Sequence, residues 1–136
     1  MIEKNYKYSL ETGKIIGLSM EVHKVLGNGF QEVIYQRALE IEFARNNIPF
    51  KREFEMPIKY KNEQIGTRRV DFLLYDKISV ELKALTKLEP VHFAQAINYL
   101  EAYNLEIGLL LNFGSASLEI KRLLNKKMAK PEFYKQ

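Results

Sequence analysis

The chain has 136 residues, 46% of them apolar and 28% charged, with a formal net charge of +4 and no cysteine; this is enough chain for one domain with a sizeable buried core. Without cysteine there is no disulfide framework or thiolate zinc site, and the two isolated histidines, His23 and His92, cannot complete a structural zinc tetrahedron, so a metal here would be held through oxygen. No apolar run approaches the ~20 residues of a membrane span, and the opening Met1-Ile2-Glu3-Lys4 has no signal-peptide core, so the expectation is one cytoplasmic domain over residues 1–136 with no membrane partner.

Ile15, Leu18, Val22, Val25 and Leu26 make an apolar stripe at helical spacing, which predicts a first helix over about residues 9 to 26 with Gly27 ending it. A second helix is expected over about residues 31 to 46, with Tyr35, Leu39 and Phe43 on its buried side. Glu32 near its start has two readings. If Gly29 is the N-cap, Glu32 is the third helical residue and can cap; if Asn28 caps, Gln31 takes that place and Glu32 is free. Phe54, Met56, Ile58 and Tyr60 then alternate on one face of a strand over 50 to 60, and Lys61-Asn62-Glu63-Gln64 turns the chain. A hairpin follows, with strands over 65 to 75 and 78 to 84 joined by Asp76-Lys77. Residues 90 to 103 have helical periodicity. Residues 106 to 113 are an almost wholly apolar run expected of a buried strand, and the strand, helix, strand sequence favours parallel pairing through a right-handed crossover. Residues 118 to 124 read as a short strand or helix, and no internal repeat or linker interrupts the chain.

The chemistry concentrates in the hairpin. Alternation sends Ile78, Val80 and Leu82 to one face and Ser79, Glu81 and Lys83 to the other. With Asp71 facing that surface from the partner strand, two carboxylates and one ammonium converge, and paired carboxylates suit a hard divalent cation. A solvated cross-strand ion-pair patch is the plainer reading of the hairpin alone.

Val70-Asp71 followed by Glu81-Leu82-Lys83 resembles the signature of the PD-(D/E)XK nuclease superfamily, an Asp on one strand and an acidic-x-Lys on the next, here without the proline of the family name. Gln95-Ala96-Ile97-Asn98-Tyr99 is similar to the Gln-x-x-x-Tyr motif of the superfamily's recombination-exonuclease branch. Gly29-Phe30-Gln31-Glu32-Val33-Ile34-Tyr35 is similar to the motif that names the GxxExxY proteins. The resemblance runs from about residue 10 to about residue 124. It implies an α/β, restriction-endonuclease-like fold: an α-β-β-β-α-β core with a mixed sheet flanked by helices, and an extra N-terminal helix.

The function implied is metal-dependent hydrolysis of DNA phosphodiester bonds, in repair or recombination. Asp71 and Glu81, with the Leu82 carbonyl and Glu32, would coordinate Mg²⁺, for which Mn²⁺ can substitute. Lys83, kept protonated beside two carboxylates, would orient water or stabilise transition-state charge. Gln95 would position the water or scissile phosphate and Tyr99 would support a phosphate contact, although Tyr99 also suits a packing surface with Phe93, Ala96, Leu100 and Tyr103. His92 reads as a helix-surface residue rather than a general acid.

Charge is uneven. Residues 121–136 carry a net +5 and residues 1–120 a net −1, so 125–136 read as a basic tail, and Lys126 and Lys127 join Arg68 and Arg69 as candidate nucleic-acid contacts. DNA is the expected partner, RNA being left open, with a homodimer or a protein partner to select the substrate. The rival function is a catalytically silent nucleic-acid-binding or protein-interaction module that keeps the fold.

Overall fold

The computed structural model describes residues 8–128, so Lys130, Glu132 and Lys135 of the basic tail lie outside the described residues. Helix α1 (Ser9–Leu26) and helix α2 (Glu32–Arg45) come first. The strands β1 (Phe50–Tyr60), β2 (Glu63–Leu74) and β3 (Ile78–Lys83) follow, then helix α3 (Pro90–Ala102), β4 (Ile107–Asn112) and β5 (Glu119–Leu124). The strands form one mixed sheet in the order β1-β2-β3-β4-β5, antiparallel except where β3 meets β4 in parallel. That exception is the crossover through α3, since parallel neighbours cannot be joined by a tight turn. The last segment is a strand, completing the edge beside β4.

The buried line of α1 is Thr12, Ile15, Ser19 and Val22, while Val25, expected in the stripe, is 69% exposed. Three residues past Val22 a helix has turned about 60° off its line, whereas Ser19 lies only about 40° from Ile15. Ser19 can sit in the core because its hydroxyl donates to the Ile15 carbonyl at 2.7 Å. On α2, Tyr35, Leu39 and Phe43 are fully buried against the sheet. Phe43 meets Phe72 edge-on at 5.0 Å, and Tyr35 stacks on Phe113 at 4.7 Å, pairs worth about 0.5–1.5 kcal/mol beyond their burial. The Tyr35 hydroxyl donates to the Gly27 carbonyl at 2.6 Å and accepts from the Phe30 amide at 3.1 Å, tying the interhelical loop to the core. Gly27 takes φ +76°, as its place after α1 predicts, but with an extended ψ of −167°.

Both hairpin turns differ from expectation. Lys61 and Asn62 alone reverse the chain, both at positive φ, in the two-residue turn whose twist matches the flanking strands; Glu63 and Gln64 therefore belong to β2. The second turn takes three residues, 75–77, with Tyr75 and Asp76 at φ 56°. α2 begins at Glu32 with Gln31 as its cap, so neither Gly29 nor Asn28 is the cap, and Glu32 is the first helical residue rather than the third and does not cap.

Candidate active site

β2 pairs with β3 only from Phe72 to Leu74, although β2 continues with β1 far beyond that point. Asp71 is the first residue past the break. Its Oδ2 accepts the Leu82 amide at 2.7 Å, standing in for the backbone carbonyl a continued ladder would have supplied. The Asp71 amide in turn donates to Glu81 Oε1 at 3.4 Å. Across the sheet, Glu53 lies opposite Asp71 at φ 50°, out of the ladder of β1 and β2. Local irregularity of this kind re-aims side chains and ends pairing.

The face carrying Ser79, Glu81 and Lys83 is not the open surface expected. α3 packs across it, through Ala96 and Leu100 against Leu110 of β4. Ser79 is 4% and Glu81 8% exposed, and only the Lys83 end is half-exposed. The result is a cleft of about 220 Å³ lined by Asp71, Glu81, Leu82 and Lys83 from the sheet, by Glu32 from α2, and by His92, Gln95 and Tyr99 from α3. Gln95 and Tyr99 share this lining because four residues on a helix return to one face. Arg68 and Arg69 complete its rim.

Burial dominates the electrostatics. It pushes the Glu81 carboxyl up from 4.5 to about 7, with the Asp71 charge adding to the effect and Arg68 and Lys83 opposing it. Asp71 is also raised by burial, against the Leu82 hydrogen bond and the Arg68 charge. Its Oδ1 accepts from the Gln36 amide at 3.1 Å. Glu81 Oε2, by contrast, is buried and has no hydrogen-bond partner. A carboxylate oxygen in that condition, beside a second carboxylate, fits an oxygen-binding cation. Among the described residues no three His, Asp or Glu side chains form a ligand cluster, so the protein carboxylates offered are Asp71 and Glu81, with Glu32 on the exposed lip.

The sequence did not single out Gln36. It is 5% exposed and links Asp71 to Arg52, whose Nε donates to Gln36 Oε1 at 2.9 Å; Arg52 also meets Glu40 at 3.5 Å. The signal was present as Glu32, Gln36 and Glu40, a polar line at four-residue spacing beside the buried line of α2. Arg68, a candidate nucleic-acid contact, lies in the cleft lining, 4.2 Å over the Tyr99 ring and 3.8 Å from Glu81 Oε2. Tyr99 both lines the cleft and stacks on Tyr103. His92 accepts the Glu89 amide on Nδ1 at 2.8 Å, so it caps α3 while lining the cleft. Arg69 faces Glu55 at 3.9 Å. Lys127 pairs with Glu101 of α3 at 3.2 Å, and Lys126 is exposed; neither lines the cleft. Among the described residues no helix is long and apolar enough to cross a membrane.

Residues 9–123 match the family model of the PD-(D/E)XK nuclease superfamily. Among solved structures, that of SSO0001 is similar at a TM-score of 0.54 and 20% sequence identity, covering 68% of this chain and 50% of its own. That similarity is one of fold, and the chain spans about half the length of the structure it matches. No curated protein matches the chain.

Proposed function

We propose that this chain, which belongs to the PD-(D/E)XK nuclease superfamily, is a divalent-metal-dependent nuclease that hydrolyses DNA phosphodiester bonds in repair or recombination, and that it falls with the GxxExxY proteins. The observation that carries this reading is the meeting of Asp71 and Glu81 where β2 and β3 part, with one buried Glu81 oxygen left without a hydrogen bond. Asp71, Glu81 and the Leu82 carbonyl would hold Mg²⁺, or Mn²⁺ in its place, with Glu32 reaching in from the lip. A cation held there would lower the pKa of a water and screen phosphate charge. Lys83 supplies positive charge at the half-open end of β3, where it steadies the negative charge that grows on the phosphate in the transition state. Gln95 orients the water or the scissile phosphate. Tyr99 acts through Arg68, which it holds by its ring face. Arg69, Lys126 and Lys127 are contacts for the flanking nucleic-acid backbone, with RNA as an alternative strand.

A cleft of about 220 Å³ takes a phosphate and its sugar rather than a run of duplex, so substrate choice is assigned to a second copy of the chain or to a protein partner. The setting proposed is one domain working in the cytoplasm. One observation favours the rival, a silent binding module: Arg68 already offers Glu81 a counter-charge. Lys83→Met separates the two. It should lower Mg²⁺-dependent cleavage by on the order of 10² while cation affinity stays the same, the pattern of a contact made mainly in the transition state. If the wild type leaves linear, single-stranded and branched DNA uncut with both Mg²⁺ and Mn²⁺, the rival holds.

A further inference from the structure

Arg68 is poorly committed to the pair it makes. A settled Arg–carboxylate pair is bidentate, with nitrogen–oxygen distances near 2.7–2.9 Å as a typical order of magnitude; here the nearest approach to Glu81 Oε2 is 3.8 Å. Arg68 Nε, Glu81 Oε2 and the Tyr103 hydroxyl are all buried without a well-formed hydrogen bond, although the Tyr103 hydroxyl lies close enough to Arg68 to feel it. Three unsatisfied polar atoms around one ion pair are a cost that native structures rarely carry without a role. The guanidinium is held by something else, the face of Tyr99 at 4.2 Å, and Tyr99 is braced by Tyr103 in a stack of 6.2 Å and 19°. The Arg68 side chain is 38% exposed while that of Glu81 is 10% exposed, so the arginine spans from the buried acid to the cleft mouth.

Charge balance shows what this arrangement is suited to. Asp71 and Glu81 are matched by Arg68 and Lys83, a neutral set. A dication held by the two carboxylates would leave both basic side chains uncompensated in a partly dry cleft, and the missing partner would then be an anion. We infer that Arg68 is the resident counter-cation of the carboxylate pair, displaced from Glu81 by the divalent cation and presented on its Tyr99 platform to a phosphodiester oxygen. The inference rests on the cation site of the proposed function and adds that cation and phosphodiester bind cooperatively through this one side chain. Arginine suits the second task because its planar fork stacks on an aromatic ring while donating to phosphate oxygens, which lysine cannot do. Linkage makes the effect reciprocal: if the cation frees Arg68 for the anion, the anion tightens the cation by the same factor.

Calorimetric titration of Mn²⁺, alone and with dimethyl phosphate as a phosphodiester that resists cleavage, tests this on the intact chain. In the wild type, dimethyl phosphate should tighten Mn²⁺ binding about fivefold or more. Arg68→Met should bind Mn²⁺ alone about tenfold more tightly, having no internal competitor, and should lose the effect of dimethyl phosphate. Arg68→Lys, which keeps the charge and protects the test against misfolding of the Met variant, should retain wild-type Mn²⁺ affinity but lose most of the coupling. Mn²⁺ affinity in Arg68→Met at or below that of wild type, or coupling that survives there, overturns the inference and leaves the cation site standing. Wild-type Mn²⁺ binding that is absent, or unaffected by Asp71→Asn and Glu81→Gln, overturns the site and the inference together.

Discussion

Replacing Glu81 by glutamine should make the protein more stable and unable to hold its cation. The folded chain prefers the protonated form of Glu81, since burial first and the Asp71 charge second raise its pKa from 4.5 to about 7. The stability this group contributes is therefore fully present below about pH 4.5 and is lost as pH rises through about 7. The gap between 4.5 and about 7, at about 1.36 kcal/mol per pH unit, comes to roughly 3 kcal/mol of strain carried by the ionised site at pH 8. Glutamine keeps the shape and an oxygen acceptor for the Asp71 amide but has nothing to ionise.

Urea denaturation in the presence of a chelator, at pH 4.5 and at pH 8, measures the difference directly. The two proteins should have nearly equal stability at the lower pH, and Glu81→Gln should lead by up to roughly 3 kcal/mol at the higher. Adding Mg²⁺ at pH 8 should then close the gap from the other side. It stabilises the wild type by about 2.7 kcal/mol at a hundredfold excess over its dissociation constant and leaves the glutamine variant unmoved. A variant no more stable than wild type at pH 8 would refute the reasoning, because it would mean that the buried carboxylate is not opposed by its surroundings.

Two further substitutions probe how the site is held. Gln36→Leu removes the donor to Asp71 Oδ1 and strands Arg52 Nε; Mn²⁺ affinity should fall about tenfold, as is usual when a group that orients a metal ligand is lost, and unchanged affinity by calorimetry would dismiss Gln36 as a positioning residue. Gly114→Ala would set a Cβ 2.5 Å from the carbonyl carbon of Ala84 and from the Leu85 oxygen. Both are backbone atoms just after Lys83, so the variant should lose about 3 kcal/mol in urea denaturation and show weakened cleavage; wild-type stability would mean that this segment yields freely.

The elements were legible because their periodicities were strong. β4 follows an apolar run and β3 an alternating one, α1 and α2 follow apolar stripes, and the crossover rule gave the single parallel pair. What escaped depended on packing between distant segments. The sequence of β3 alternates polar with apolar residues, which normally marks a face open to water; here α3 closes over the polar face, and only the pairing of β3 with β4 brings α3 there. Arg68 stood in a dipeptide with Arg69 that reads as a basic surface, yet the two diverge, one onto Tyr99 and the other toward Glu55. Asp71, Glu81 and Lys83 drew attention because each was a polar residue in a place that alternation or burial assigned meaning to. Gln36 was missed because an amide on a helix beside a core stripe carries no charge to draw attention.

The two carboxylates are constrained differently, and under the proposed function this difference fits the site to a cation. Had β2 stayed paired with β3, a backbone carbonyl would have taken the Leu82 amide and Asp71 would have lain beside the ladder, free to choose a rotamer. With the strands apart, that amide binds the Asp71 side chain itself. The separation between the first acid and the segment bearing Glu81 and Lys83 is therefore fixed through the backbone, and Gln36 secures the other oxygen. Asp71 supplies geometry. Glu81 is the acid suited to a cation, because one of its oxygens accepts from the Asp71 amide while the other, buried, accepts no hydrogen bond and lies 3.8 Å from Arg68. A site in which both acids were fully hydrogen-bonded would be more stable and would have little reason to bind a metal ion; one in which both were free would repel itself open. Dividing the two tasks between neighbouring strands lets the fold tolerate an unsatisfied carboxylate at the one position where a cation would satisfy it.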